Sequence, residues 1–63
     1  MKGKVKFFNR TKNFGFITGE DEKDYFVHMS QIENQTPLDE NDEVEFEGKE
    51  GDRGPVAESV KKL

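Results

Sequence analysis

Apolar residues recur at every second position in several short stretches of this chain. The clearest is Glu43-Val44-Glu45-Phe46-Glu47, where two apolar side chains alternate with three acids. Side chains on a β-strand point alternately to opposite faces, so this period predicts a strand with one buried face and one acidic face. No stretch has the repeating three-to-four-residue spacing of an amphipathic helix. The pattern therefore predicts an all-β protein.

Five strands are predicted, separated by polar and glycine-containing segments. A short polar connection makes the first two strands a hairpin, and a single helical turn at 30–32 follows the third. A loop at 33–42 and a long turn at 48–54, which holds three glycines, flank the fourth strand. Five short strands must hide their edges, and curling into a barrel does this. The strands are predicted at residues 4–9, 14–18, 25–29, 43–47 and 55–60.

The predicted core of this barrel is almost entirely aliphatic, and Phe46 is its only aromatic member. Most of the six phenylalanines therefore lie outside the predicted core. The nine core residues are Val5, Ile17, Val27, Ile32, Leu38, Val44, Phe46, Ala57 and Val60.

Four aromatic side chains on the second and third strands have the parity opposite to that of Ile17 and Val27. If these two aliphatic residues face the core, the four aromatics face outward together, which a folded protein rarely allows without a partner. The inverted arrangement would instead send Ile17, Val27, Tyr25 and Met29 to water. The four outward residues are Phe14, Phe16, Phe26 and His28.

The first strand does not follow a simple alternation. Val5 and Phe7 have the same parity, although one is expected inside and the other outside. A β-bulge between Lys6 and Phe8 would let Val5 point inward while Phe7 points outward.

Composition and charge place limits on the class of protein. Hydrophobic residues make up 30% of the chain and charged residues 38%, a balance typical of disorder, but the alternating aromatic pattern argues for a fold. Sixty-three residues allow one domain, at 1–63. The chain has no cysteine and no apolar run of signal-peptide length, so we expect a soluble, cytoplasmic monomer without disulfides or membrane contact.

The net charge of −4 is distributed unevenly along the chain. Residues 1–17 hold five basic residues and no acid, whereas residues 18–48 hold eleven acids and one lysine. The basic residues of the N-terminal segment alternate with apolar residues, so we expect them to lie around the outward-facing aromatic side chains. Bases of an unpaired nucleic-acid strand stack on exposed rings, and lysines follow its phosphates. We therefore predict binding to single-stranded nucleic acid, with duplex DNA a poor partner because no recognition helix is present.

Four segments resemble the cold-shock protein family. Lys12-Asn13-Phe14-Gly15-Phe16-Ile17 resembles its first RNA-binding signature, and Phe26-Val27-His28 resembles the second. Gly3-Lys4-Val5-Lys6-Phe7-Phe8-Asn9 is similar to its opening strand, and Gly51-Asp52-Arg53-Gly54-Pro55 to its last loop. The resemblance runs from Gly3 to Val60. It implies a five-stranded antiparallel OB-fold barrel that binds single-stranded RNA and DNA as an RNA chaperone, with effects on transcription and translation.

The resemblance also implies which residues contact the nucleic acid. The base-stacking positions fall on Phe7, Phe14, Phe16, Phe26 and His28. The polar contacts fall on Lys6, Lys12 and Arg53, with Asp24 at a position that hydrogen-bonds a base edge.

This chain departs from the family at four places within that surface. Phe7 stands where the family usually has tryptophan, and Asn13 replaces a glycine, although asparagine tolerates positive φ. Met29, which we include in the binding surface, replaces a phenylalanine and offers a flexible thioether instead of a ring. The loop at 33–41 is shorter and lacks an aromatic residue. These departures imply weaker binding than that of a typical member.

Other function classes have less support in the sequence. His28 is the only histidine and has no cysteine beside it, so no metal site or cofactor is expected. Asp21, Glu22 and Asp24 lie in an exposed turn without a nucleophile, and we expect no enzymatic activity. A protein-interaction module would use the aromatic face as a peptide groove. An RRM domain would need two helices, for which the chain has neither room nor pattern.

Overall fold

A computed structural model describes residues 1–35, 38–52 and 54–63 of the chain. Five β-strands form a closed barrel in the order β1-β2-β3-β5-β4. The all-β barrel predicted from the sequence is confirmed, and the described residues contain no α-helix of the kind an RRM domain requires. No helix among them is long and apolar enough to cross a membrane. The strands are β1 (Lys2–Asn9), β2 (Phe14–Gly19), β3 (Asp24–His28), β4 (Glu43–Gly51) and β5 (Gly54–Lys62).

Four of the five strand pairs are antiparallel, and one parallel pair closes the barrel. β1 pairs with β2 and β4, and β2 pairs with β3, all antiparallel. β3 meets β5 in parallel through the single pair Phe26 and Val56. A second parallel bridge, between Ile32 and Val60, lies beside this seam. The seam therefore places β5 next to the strand that carries Phe26.

The barrel interior contains the nine predicted core residues and one more. All nine are at most 3% exposed, and Tyr25 joins them at 6%. Tyr25 has the inward parity of Val27, although it was not among the nine predicted core residues. That hydroxyl donates a hydrogen bond to Asp21 Oδ2 at 2.6 Å at the end of the barrel. Phe8 is half-buried and packs against the core from β1.

Two irregularities let the strands keep their apolar residues inside. In β1 the register shifts between Val5 and Phe7, so the predicted bulge is present, at Lys6. In the β4–β5 pair the register shifts between Glu45 and Glu47, opposite Ser59, whose φ is +53°. The extra residue in β5 explains why Ala57 and Val60, three positions apart, are both buried.

The long turn predicted at 48–54 is wrong. β4 continues to Gly51 and β5 begins at Gly54, with Glu50 opposite Pro55 and Gly51 opposite Gly54. The prediction failed because β4 is exposed on both faces beyond Phe46, so backbone pairing extends the strand where no alternation marks it. The two strands thus form a hairpin arm that reaches beyond the core.

The segment between β3 and β4 contains two short 3₁₀ turns. β3 ends at His28, one residue before the predicted end, and the first turn covers Met29–Gln31. The second covers Glu33–Gln35 inside the predicted loop, with Asn34 in the left-handed region at φ +59°. Leu38 then returns to the core.

Candidate nucleic-acid interface

The outward aromatic side chains of β1, β2 and β3 lie side by side on one face of the barrel. Phe7 is directly opposite Phe16, Phe16 is opposite Phe26, and Phe14 is opposite His28. Paired residues on neighbouring strands point to the same face, so this register brings all five together. The predicted outward orientation is confirmed, and the inverted one is excluded because Ile17 and Val27 are fully buried. We call Phe7, Phe14, Phe16, Phe26 and His28 the aromatic face.

The four phenylalanine rings form a connected surface. The ring centroids of Phe7 and Phe16 are 5.5 Å apart, those of Phe14 and Phe26 5.6 Å, and those of Phe16 and Phe26 5.8 Å. Phe7 is 37% exposed and the other three rings are half-buried. The rings support one another laterally and leave part of each open to solvent. Such a surface can receive planar groups by stacking.

The bulge at Lys6 is what brings Phe7 onto this face. Without the extra residue, Phe7 would follow the parity of the buried Val5 and point into the barrel. The connection between β1 and β2 depends on Asn13, which has a φ of +61°, as expected for its tolerance of that region. The carbonyl of Asn13 accepts a hydrogen bond from the Met29 amide at 2.9 Å, which links this turn to the end of β3.

Lys6 and Asp24 form an ion pair at the edge of the aromatic face. Lys6 Nζ lies 3.0 Å from Asp24 Oδ2, and Thr18 Oγ1 donates to Asp24 Oδ1 at 3.1 Å. The hydrogen bond from Lys6, followed by that from Thr18, holds the pKa of the Asp24 carboxyl below its usual range. Both carboxylate oxygens of Asp24 therefore already have donors. Thr18 was not predicted to take part, because only the β2–β3 register places it opposite Asp24.

His28 is oriented by the residue two positions after it. The backbone N–H of Ser30 donates to His28 Nδ1 at 3.1 Å, and the Ser30 hydroxyl lies 2.9 Å from the same nitrogen. Because Nδ1 accepts, the neutral ring carries its proton on Nε2. The imidazole is thereby fixed as an exposed planar group next to the phenylalanines.

Two of the three remaining predicted contact residues, Lys12 and Met29, are among the described residues. Lys12 is exposed, and its backbone N–H donates to Asn9 Oδ1 at 3.0 Å. Met29 is half-buried and begins the first 3₁₀ turn, so it follows the strand instead of ending it. Arg53 lies outside the described residues.

The basic N-terminal segment is partly neutralised by acids from elsewhere in the chain. Arg10 forms an ion pair with Asp39, and Lys6 with Asp24. Within the described residues, Lys2, Lys4 and Lys12 take part in no ion pair. These three ammonium groups remain available to an anionic partner.

A concavity that sequence reasoning missed adjoins the aromatic face at the seam between β3 and β5. Its walls come from Phe16, Phe26 and the hairpin arm, and two acidic residues line it as well. Predicting it would have required the parallel β3–β5 pairing, which no local pattern encodes. The lining residues are Phe16, Phe26, Gly54, Pro55, Val56, Asp24 and Asp52.

The described residues offer no group of three or more His, Cys, Asp or Glu side chains that could hold a metal ion. What the site presents is an array of aromatic rings with lysines at its edge. This combination on a closed five-stranded barrel is typical of small nucleic-acid-binding domains.

Comparison with known proteins assigns the chain to a family. The model of the 'Cold-shock' DNA-binding domain matches residues 1–63. The chain is 51% identical to cold shock-like protein CspB of Bacillus cereus, over the full length of both proteins. It is 55% identical to cold shock protein CspA of Staphylococcus saprophyticus, covering 98% of this chain and 97% of the relative. It is 56% identical to cold shock-like protein CspLB of Listeria monocytogenes, covering 97% and 96%.

The chain therefore belongs to the cold-shock domain family, whose members are nucleic-acid-binding proteins and not enzymes. The family resemblance seen in the four sequence segments is confirmed over the whole chain.

Proposed function

We propose that this protein binds single-stranded RNA and DNA by stacking unpaired bases on the aromatic face, and acts as an RNA chaperone that influences transcription and translation. The observation that carries the proposal is the array of four phenylalanine rings, spaced 5.5–5.8 Å apart on three adjacent strands and partly open to solvent. A duplex has its bases already stacked, so only an unpaired strand can use these rings.

The charges near the rings support the same partner. Lys12 is exposed in the β1–β2 connection, and Lys6 is held at the edge of the rings by Asp24. Ammonium groups that contact phosphates release counterions, which makes binding weaker at higher salt. A peptide partner for this face would have to be acidic to satisfy the same lysines.

The proposed role assigns the contacts residue by residue. Phe7, Phe14, Phe16, Phe26 and His28 stack on bases, and Met29 borders them. Lys6, Lys12 and Arg53 contact the strand through their charges. We also propose that the protein is cytoplasmic, and that it is a monomer because its apolar residues are used by the core and the aromatic face.

The test is fluorescence anisotropy of labelled oligo-dT and oligo-U heptamers, with a duplex of equal length for comparison. We expect saturable binding to both single strands that weakens between about 50 and 200 mM salt. Phe16→Ala should weaken it about tenfold, because stacking contributes about 1–3 kcal/mol per base. Opening of a fluorophore–quencher RNA hairpin by the protein tests the chaperone role.

Leu63→Ala is the matched control, since Leu63 is 58% exposed and lies at the end of β5, outside the aromatic face. It removes an exposed apolar side chain and should leave the affinity unchanged. If the folded protein binds neither heptamer at low salt, the proposed function is wrong and a peptide partner for the aromatic face becomes the better hypothesis.

A further inference from the structure

The concavity at the β3–β5 seam continues the aromatic face without a break. Phe16 and Phe26 belong to both, and Pro55 and Val56 form the wall opposite them. It encloses about 570 Å³, within the range typical of small-ligand sites. A strand that stacks on the aromatic face can therefore place one base between the phenylalanines and the hairpin arm.

The two acidic residues that line this concavity differ in whether their carboxylates already have hydrogen-bond partners. Asp24 has both oxygens engaged, one by Lys6 and the other by Thr18. Asp52 lies exposed at the tip of the hairpin arm, and within the described residues no hydrogen bond or ion pair engages its carboxylate. Of the two acidic residues, Asp52 is therefore the one whose carboxylate has no partner within the described residues.

A carboxylate discriminates among bases by the donors on their Watson–Crick edges. Guanine presents two adjacent donors, N1–H and the 2-amino group, which match the two oxygens of a carboxylate. Thymine and uracil present one N–H between two carbonyl oxygens, which a carboxylate repels. Adenine and cytosine each present one amino group beside an acceptor nitrogen. The negative charge of the carboxylate also repels the phosphates of a bound strand, and a base without adjacent donors does not offset this repulsion.

Building on the proposed function, we infer that the concavity takes one unpaired guanine and that Asp52 is the residue that selects it. Phe26 and Val56 enclose the base, and the Asp52 carboxylate accepts from its N1–H and 2-amino groups. Asp24, which also lines the concavity, holds the ammonium of Lys6 at the edge of the aromatic face. The protein then prefers a thymine- or uracil-rich strand that contains one guanine over a uniform one.

The test is a set of labelled dT heptamers in which one guanine occupies each position in turn, titrated against the full chain. At one position we expect guanine to bind about fivefold more tightly than thymine. Inosine at that position, which lacks the 2-amino group, should lose most of the gain. Asp52→Asn should reduce the guanine-to-thymine ratio to near one while keeping or improving the affinity for uniform dT.

Two variants complete the design. Glu45→Gln removes one acidic charge from the outer face of β4, away from the concavity, and should leave the ratio unchanged. Asp24→Asn changes the other acidic residue that lines the concavity, and it shows whether that carboxylate, instead of Asp52, sets the guanine preference. Because the ratio compares two ligands for one variant, a partial loss of folded protein does not alter it.

The possible results separate this inference from the proposed function. Binding of every heptamer without a guanine preference overturns the inference alone. A preference that survives Asp52→Asn but is lost in Asp24→Asn also overturns it, since Asp24 would then contact the base. Failure of the folded protein to bind any heptamer overturns both.

Discussion

Tyr25 combines a buried ring with a hydroxyl that meets a carboxylate. Its ring packs edge-on against Phe46, with centroids 5.0 Å apart, and its O–H donates to Asp21 at 2.6 Å. The hydrogen bond to Asp21, together with burial, raises the pKa of Tyr25 to about 12. The unfolded value is about 10, so this group stabilises the fold fully below pH 10, and the contribution is lost as the pH rises through 12.

Removal of Asp21 should change the pH at which the Tyr25 hydroxyl loses its proton. We expect Asp21→Ala to lower the pKa of Tyr25 towards 10, because the accepting carboxylate and its charge are both gone. Tyr25 is the only tyrosine and the chain has no tryptophan, so the ultraviolet absorbance of tyrosinate reports this residue alone. Glu22→Ala removes a neighbouring acid from the same turn and serves as the control. An unchanged titration curve in Asp21→Ala would contradict the assigned hydrogen bond.

At the scale of the elements, β1 and β2 approach so closely that only glycine fits at position 15. A Cβ atom there would lie 2.3 Å from the carbonyl oxygen of Phe7 and 2.8 Å from the Cα of Phe8. Gly15 lies between Phe14 and Phe16, so this contact sets the position of the aromatic face relative to β1. The strand pair can relieve the clash only by moving backbone.

Gly15→Ala should therefore destabilise the protein by about 1–3 kcal/mol, the usual cost of overpacking. Urea denaturation followed by circular dichroism measures this. Gly51→Ala is the comparison, since its Cβ would meet Val56 at 3.1 Å and should cost less. Equal stability of Gly15→Ala and the unmodified chain would show that the strands are not held this closely.

Sequence reasoning succeeded where an element buries one of its faces. The pattern of apolar and β-forming residues located all five strands, and nine of the ten core residues that the structure describes as buried were predicted. The conflict between Val5 and Phe7 revealed the bulge in β1. Sequence reasoning failed where backbone pairing continues without burial, as in β4 beyond Phe46. It also missed Asp52, because that residue reaches the aromatic face only through the parallel β3–β5 pair, which no local pattern encodes.

At the scale of the whole molecule, the acidic outer side of β4 and the aromatic face occupy different parts of the barrel. The aromatic face and its lysines belong to β1, β2 and β3, whereas the outer side of β4 carries Glu43, Glu45 and Glu47. In the closed strand order, β1 and β5 separate β4 from β2 and β3. A nucleic-acid strand on the aromatic face would thus lie away from the acids of β4, although the protein as a whole is an anion.

This separation has a consequence for the kinetics of encounter. The molecule measures 24 × 23 × 17 Å, and electrostatic screening extends about 30 Å at 10 mM salt but about 8 Å at 150 mM. In dilute salt an approaching polyanion feels the net charge of −4 and is repelled, whereas at moderate salt it feels only the nearest face. We expect the association rate in stopped-flow mixing to pass through a maximum at intermediate ionic strength. A rate that rises steadily down to the lowest salt would mean that the basic face dominates at every distance.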